Sequence, residues 1–325
     1  MKYKSIINNI LVLLLSIFIL FVIGEILIRF YLNKKIIYDI EMTRYSLLIK
    51  QDHPNPQIGH VHRPNISAKL MNVMVNINSD GLRDKEYSVK KSNKYRIIFL
   101  GDSLTFGWGV PKEATFEAIL EEKLNELYPT EVLNFGTGNY NTEQEVSLFI
   151  EKGLKYRPDK VVLFYFINDA EPTPVKSRLW FLGYSRLLSF YWSRIHSTIS
   201  NIFRSKSFYD YYSNLYNDNQ PGWLTTQKSL LQLKRICKEN GIKLQVVLLP
   251  ELHNPTNNYP FNKEYNKVKS FLKTNGINYL DVTPAFQDYV NPIKLWVAED
   301  DAHPNSLAHR IIANYIFDFV ADNRN

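Results

Sequence analysis

Cysteine is almost missing from this chain: Cys237 is the only one in 325 residues. No intramolecular disulfide can form, and no Cys/His cluster has the spacing of a metal site. A block of like charge is also missing. The 39 lysines and arginines outnumber the 32 acidic residues, for a formal net charge of +7, but they are scattered. That argues against a nucleic-acid surface. Behind the first apolar stretch there is no small-x-small cleavage site, which argues against a removable signal peptide.

What the chain does have begins at that apolar stretch. From Ile10 to Ile23 it is nearly all Leu, Ile, Val and Phe, and Ile26-Leu27-Ile28 prolongs it past Gly24 and Glu25. As a helix, Ile10 to Ile28 would be roughly 28 Å long at ~1.5 Å per residue, close to the thickness of a bilayer core. A retained membrane anchor is the expectation. Lys2 and Lys4 before it nearly balance Arg29, Lys34 and Lys35 after it, so charge asymmetry does not orient it. Glu25 and Arg29 have the spacing to pair on one helix face.

A second feature lies in Arg96-Ile97-Ile98-Phe99-Leu100-Gly101-Asp102-Ser103-Leu104. A buried-type strand breaks at a glycine and leaves a serine at its end, where open α/β sheets carry their chemistry. A serine hydroxyl needs a base, and the base needs a group to hold its tautomer. Asp300-Asp301-Ala302-His303 supplies both near the C-terminus. His303 is the expected base. Asp300 is the preferred orienter because of its three-residue offset, with Asp301 as second candidate. Between them the apolar run 161–167 ends in Asn168-Asp169, and the Asn168 amide could donate to a developing oxyanion.

In these blocks the sequence resembles the SGNH hydrolases, the GDSL esterase superfamily. Gly101-Asp102-Ser103-Leu104 matches the nucleophile block and Asp300-Asp301-Ala302-His303 the terminal block. Asn134-Phe135-Gly136-Thr137-Gly138-Asn139-Tyr140 and Phe166-Ile167-Asn168-Asp169 resemble the two between. The resemblance implies a catalytic triad of Ser103, His303 and Asp300. It implies an oxyanion hole made by the Ser103 amide, the Asn168 side chain and an amide of the second block. Read without a gap, that block's glycine falls on Asn139, with Gly138 before it, so either supplies the donor. Asn tolerates the left-handed backbone better than most residues. Phe166 replaces the family's glycine and bears on pocket shape. Asp102 reads as a turn-fixing residue and Asn305 as an anchor for the loop bearing His303.

Apolar runs and helical periodicity alternate through the rest. Strands are expected at 96–100, 131–134, 160–166, 243–249 and 279–282. Helices are expected at 115–127, 142–153, 224–240, 262–274 and 306–321. That alternation predicts a three-layer α/β/α sandwich on a mostly parallel sheet. The expected organisation is an anchor with its flanks at 1–35, a juxtamembrane segment with an accessory strand at 36–92, and the hydrolase domain at 93–325. Within 36–92, His60 and His62 alternate as on an edge strand or solvated loop. Val73 to Arg83 reads as a strand into an Asp80-Gly81 turn. Relatives carry similar Asn-x-x-Gly-x-Arg stretches there, which implies an extra strand packed beside the core.

An insertion at 171–223 is rich in aromatic residues, among them Trp180, Phe181, Tyr184, Phe190, Tyr191 and Trp192. Lys176, Arg178, Arg186, Arg194, Arg204 and Lys206 are interspersed. It reads either as a cap whose rings meet a sugar or lipid headgroups, or as a helical insertion with its own small core.

The resemblance to membrane-anchored bacterial relatives implies a catalytic domain outside the cell. It also implies an esterase that cleaves acyl esters, O-acetyl above all, of a glycan or lipid through an acyl-enzyme. One alternative is an O-acetyltransferase that modifies a cell-surface polysaccharide with the same triad. Another is a catalytically silent carbohydrate-binding module, against which the intact triad argues. The expected partners are the acylated substrate and the membrane. No cofactor, metal or nucleic acid is expected, and nothing in the sequence bears on oligomeric state.

Overall fold

A computed structural model describes residues 2–32, 36–91, 93–173, 185–203, 207–256, 258–289 and 291–321. Lys34, Lys35, Lys176, Arg178, Trp180, Phe181, Tyr184, Arg204 and Lys206, singled out above, lie outside them. The chain divides into two compact units, Met1–Leu48 with Ser177–Ser205, and Ile49–Lys176 with Lys206–Asn325.

The first unit holds helix α1 (Lys2–Leu32), α2 (Tyr38–Leu48) and α6 (Arg186–Phe203). Among the described residues, the helix Ser5–Leu32 is long and apolar enough to cross a membrane. Glu25 and Arg29 pair as their spacing predicts, at 2.6 Å. Glu25 also accepts hydrogen bonds from the Ser185 hydroxyl at 2.8 Å and from the Arg186 and Leu187 amides at 3.0 and 2.9 Å. A carboxylate from α1 thereby satisfies the first two orphan donors of α6, and the Ser185 hydroxyl takes the next, from the Leu188 amide at 3.1 Å. Leu188, Tyr191, Trp192 and Ile195 of α6 are exposed, and their spacing puts them on one helix face.

The second unit begins with two hairpins. Strand β1 (Lys50–Asp52) pairs with β2 (His60–His62), and β3 (Ser67–Leu70) with β4 (Val73–Asn76), both antiparallel. The core follows as β5 (Tyr95–Leu100), α3 (Ser103–Phe106), α4 (Phe116–Leu127), β6 (Thr130–Asn134), α5 (Thr142–Leu148) and β7 (Lys160–Tyr165). After α6 come α7 (Phe208–Leu215), α8 (Pro221–Glu239), β8 (Lys243–Leu248), α9 (Asn262–Thr274) and β9 (Asn278–Asp281). A small hairpin of β10 (Trp296–Ala298) and β11 (Asp301–Pro304) precedes the closing helix α10 (Ser306–Ala321).

The five core strands pair in parallel in the order β6-β5-β7-β8-β9. Their apolar runs are continuous because both faces of the sheet are covered. Along β5, Ile97 and Phe99 pack with α4 and α10 side chains such as Phe116, Leu120 and Ile312. Ile98 and Leu100 face the opposite way, toward Leu230 and Leu233 of α8 and Val268 of α9. The three-layer sandwich on a parallel sheet is therefore as the sequence predicts. Cys237 is buried in α8, and burial pushes its thiol up to about 12.

Two details around the first hairpins go beyond the sequence reading. His60 and His62 lie on the paired strand β2, the strand alternative rather than the solvated loop, and His62 is buried, with Nδ1 bonded to the Gly81 carbonyl at 3.1 Å. Burial and the nearby Lys50 charge push its pKa down to about 3, so it stays neutral. Arg83 does more than continue a packed strand. Its guanidinium donates to the carbonyls of Phe106, Gly107 and Val110, at 2.9, 2.5 and 2.6 Å, and so holds the turn that follows the Ser103 helix.

Candidate active site

Ser103 sits where β5 gives way to α3. Asp102 caps that short helix: its Oδ1 accepts from the Leu104 amide at 2.8 Å, and Oδ2 accepts from Asn168 Nδ2 at 3.1 Å. The turn requires glycine on both sides. A Cβ on Gly101 would lie 2.0 Å from Thr105 Oγ1, and one on Gly136 would lie 2.2 Å from the Phe106 nitrogen. Neither approach is open to a larger residue. Asn134 ties the second block to this helix by donating from Nδ2 to the Thr105 carbonyl at 2.8 Å.

Ser103 Oγ is 2.8 Å from His303 Nε2. On the other side of the ring, His303 Nδ1 meets Asp301 Oδ1 at 2.5 Å. The carboxylate beside His303 is thus Asp301, and the sequence preference for Asp300 is corrected. The reason is local structure. A three-residue offset shares a face in a helix, but His303 lies on strand β11, where residues two apart share a face. Asp301 is buried and Asp300 is exposed. Asp301 Oδ2 accepts from Trp108 Nε1 at 2.8 Å, and Oδ1 also accepts from the His303 amide at 3.1 Å. Asn305 anchors this hairpin: its Nδ2 donates to the carbonyls of Lys294 and Trp296, at 2.8 and 3.1 Å.

The charges follow from this arrangement. Burial opposes a charged His303, but the charge and hydrogen bond of Asp301 outweigh it, and the pKa stands above the ordinary 6.5. Burial likewise pushes Asp301 toward its neutral form. The His303 charge and the hydrogen bonds from His303 and Trp108 overcome it and hold the carboxyl below its usual range. Asp102 differs: burial is the larger effect there, and its pKa is raised.

The second block forms a four-residue turn. The Tyr140 amide donates to the Thr137 carbonyl at 3.1 Å, and Asn139 has φ 63°, the left-handed conformation of the third position of a type II turn. Two side chains hold its central peptide. Buried Lys50 donates from Nζ to the Gly138 carbonyl at 2.5 Å and to Asn139 Oδ1 at 3.1 Å. His60 Nε2 reaches the same carbonyl at 3.2 Å. Neither role is visible in the sequence, since a lysine on a three-residue strand carries no periodic signal. Asn168 follows β7; its Oδ1 is buried without a hydrogen bond. Its Nδ2 gives one of two hydrogens to Asp102.

The model of the GDSL-like lipase/acylhydrolase family matches residues 99–311. That span holds Ser103, Asn139, Asn168, Asp301 and His303. Among solved structures, the acetyl xylan esterase AlAXEase is 17% identical with a TM-score of 0.44, over 69% of this chain and 99% of that one. A catalytic mutant of Axe2, an acetylxylan esterase from Geobacillus stearothermophilus, is 16% identical with a TM-score of 0.44, over 70% and 94%. A two-domain esterase active on acetylated mannans is 15% identical with a TM-score of 0.46, over 70% of this chain and 49% of that one. No curated protein matches in sequence. With more than half of its length matched, the chain belongs to the GDSL-like lipase/acylhydrolase family, and it is an acyl-ester hydrolase.

Proposed function

We propose that this hydrolase removes acyl groups, O-acetyl first among them, from a glycan, and that α1 holds it on a membrane. The observation that carries the mechanism is the unbroken hydrogen-bond chain from Ser103 Oγ through His303 to Asp301. Ser103 Oγ attacks the ester carbonyl carbon while its proton passes to His303 Nε2. The tetrahedral intermediate collapses, the C–O bond to the alcohol breaks, and His303 returns that proton to the departing oxygen. Water then attacks the acyl-enzyme with His303 as base, and the acid leaves as Ser103 regains its proton. Asp301 keeps the Nδ1 proton in place and stabilises the imidazolium.

Three donors serve the oxyanion: the Ser103 amide, the free hydrogen of Asn168 Nδ2, and the Asn139 amide rather than that of Gly138. In a trans peptide the C=O and N–H point opposite ways. Lys50 and His60 hold the Gly138 carbonyl, so the Asn139 N–H of the same peptide is fixed facing away from them. The ammonium on the carbonyl also polarises that N–H. One such donor is worth about 3 kcal/mol to a tetrahedral transition state.

Anchoring is supported by the apolar Ser5–Leu32 helix and by the exposed apolar face of α6, whose first turn Glu25 of α1 caps. A glycan is supported by Phe208, Tyr209 and Tyr211, exposed along α7, since aromatic faces stack on sugar rings. The test is full-length protein in detergent with acetylated oligosaccharides, reading free acetate with and without an acceptor glycan. Free acetate is expected. Acetyl appearing on the acceptor would make the enzyme a transferase. Cleavage of long-chain lipid esters alone would refute the glycan substrate. Protease added to intact cells is expected to remove the catalytic domain; digestion only after lysis would refute its external placement.

His303 must be neutral to accept the serine proton, and Asp301 raises its pKa. Turnover of p-nitrophenyl acetate is therefore expected to rise with pH through a midpoint above 6.5 and then level off. A pH profile with its midpoint well below 6.5 would contradict His303 as the base.

A further inference from the structure

A second histidine–carboxylate pair stands beside the first, and the mechanism makes no use of it. Glu251 is buried and hydrogen-bonds the ring of His253 at Nδ1. Both Glu251 oxygens also accept from the His253 amide, at 3.1 and 3.0 Å. The imidazole is thereby fixed, while its side chain remains 45% exposed. Its ring meets two aromatic rings edge to face, Trp296 with centroids 4.8 Å apart and Phe208 at 5.5 Å.

Trp296 ties this group to the triad. It pairs with Pro304, the neighbour of His303, and its Nε1 donates to the Leu252 carbonyl at 2.9 Å. The Glu251 charge acts on His303, and the Asp301 charge acts on His253. The row Trp296–His253–Phe208 thus starts across the hairpin from the chain neighbour of His303 and ends on a phenylalanine that is 44% exposed, with Tyr209 beside it.

We propose that Phe208, His253 and Trp296 form a sugar-binding subsite for the alcohol side of the ester, with Glu251 as the residue that positions His253. The chemistry favours a hydroxylated ring over an alkyl chain. A fatty acyl or alkyl group gains by entering an apolar slot, whereas here an imidazole bound to a buried carboxylate sits in the middle of the row. Aromatic rings flanking a fixed polar atom suit a sugar, whose C–H faces stack on the rings while a hydroxyl reaches the polar atom. With Nδ1 committed to Glu251, the free Nε2 accepts from a hydroxyl when neutral and donates to one when protonated. The hydrogen bond from Glu251 raises the His253 pKa, which favours donation.

This subsite rests on the glycan reading above, and the experiment separates the two. Full-length wild type, Phe208→Ala, His253→Ala and Phe208→Tyr are compared on a panel of acetylated xylo-, manno- and gluco-oligosaccharides and on p-nitrophenyl acetate. In the two alanine variants, the ratio of kcat/KM for the best oligosaccharide to that for p-nitrophenyl acetate is expected to fall about tenfold, mainly through the oligosaccharide KM. Phe208→Tyr, which keeps an aromatic face, is expected to restore the ratio. A wild type active on an oligosaccharide with an unchanged ratio in both alanine variants would overturn the subsite alone. An equal loss on both substrates would also overturn it, by making these residues supports of the triad. A wild type that cleaves p-nitrophenyl acetate and none of the panel would overturn the glycan reading and the subsite together.

Discussion

Ser103→Ala is expected to lower kcat on p-nitrophenyl acetate by at least about 10⁴-fold, the scale on which serine hydrolases respond to loss of the nucleophile. The loss should come without unfolding. The α3 cap belongs to the Asp102 side chain, the following turn is held by Arg83, and Asp301 still holds His303. Removing one oxygen deletes the hydrogen bond to His303 Nε2 and leaves the rest of the constellation in place. Thermal unfolding is therefore expected to shift by no more than a few degrees. The proposed oxyanion donors survive as well, so residual catalysis above the uncatalysed rate is expected from them alone. Stopped-flow measurement should find no acyl-enzyme burst. A variant that turns over at the wild-type rate would remove Ser103 from the mechanism.

The parts legible in the sequence are those set by local pattern. Five apolar runs give the five parallel strands, and helical periodicity gives α4, α8, α9 and α10 within a few residues at their ends, while the helix expected at 142–153 is α-helical to Leu148 and continues as a π-helix to Gly153. Ser103 is legible because a strand that breaks at glycine leaves little else to place at the sheet edge. The features missed act across long separations through backbone atoms. Lys50 reaches a carbonyl 88 residues away, and Arg83 reaches three carbonyls from the last residue of α3 onward. A backbone acceptor has no residue type, so no sequence pattern marks it. The aromatic insertion also reads differently once folded. Phe190, Tyr191 and Trp192 lie on α6, in one compact unit with α1 and α2, whereas Phe208 and Tyr212 pack against Phe261 in the other. Composition alone shows one aromatic stretch and cannot divide it.

The Asp300–Asp301 pair turns the same lesson into a measurement. Asp301→Asn is expected to lower kcat by about 10⁴-fold, the effect of the equivalent change in a serine-protease triad, whereas Asp300→Asn should stay within about twofold. The cause is the tautomer. An amide at position 301 can donate to His303 Nδ1, which moves the imidazole proton to Nε2, where it can no longer accept from Ser103. The pH profile supplies an independent sign. The Asp301 charge raises the His303 pKa and burial lowers it. With the charge gone, burial is the larger remaining influence, and the midpoint of the residual activity should move to lower pH than in the wild type. Trp108→Phe tests the far side of the same carboxylate. It deletes the 2.8 Å bond to Asp301 Oδ2 and should cost far less than Asp301→Asn, because the bond from Oδ1 to Nδ1 remains. If Asp300→Asn carried the large loss instead, Asp300 and not Asp301 would be the residue that orients His303 in the working enzyme.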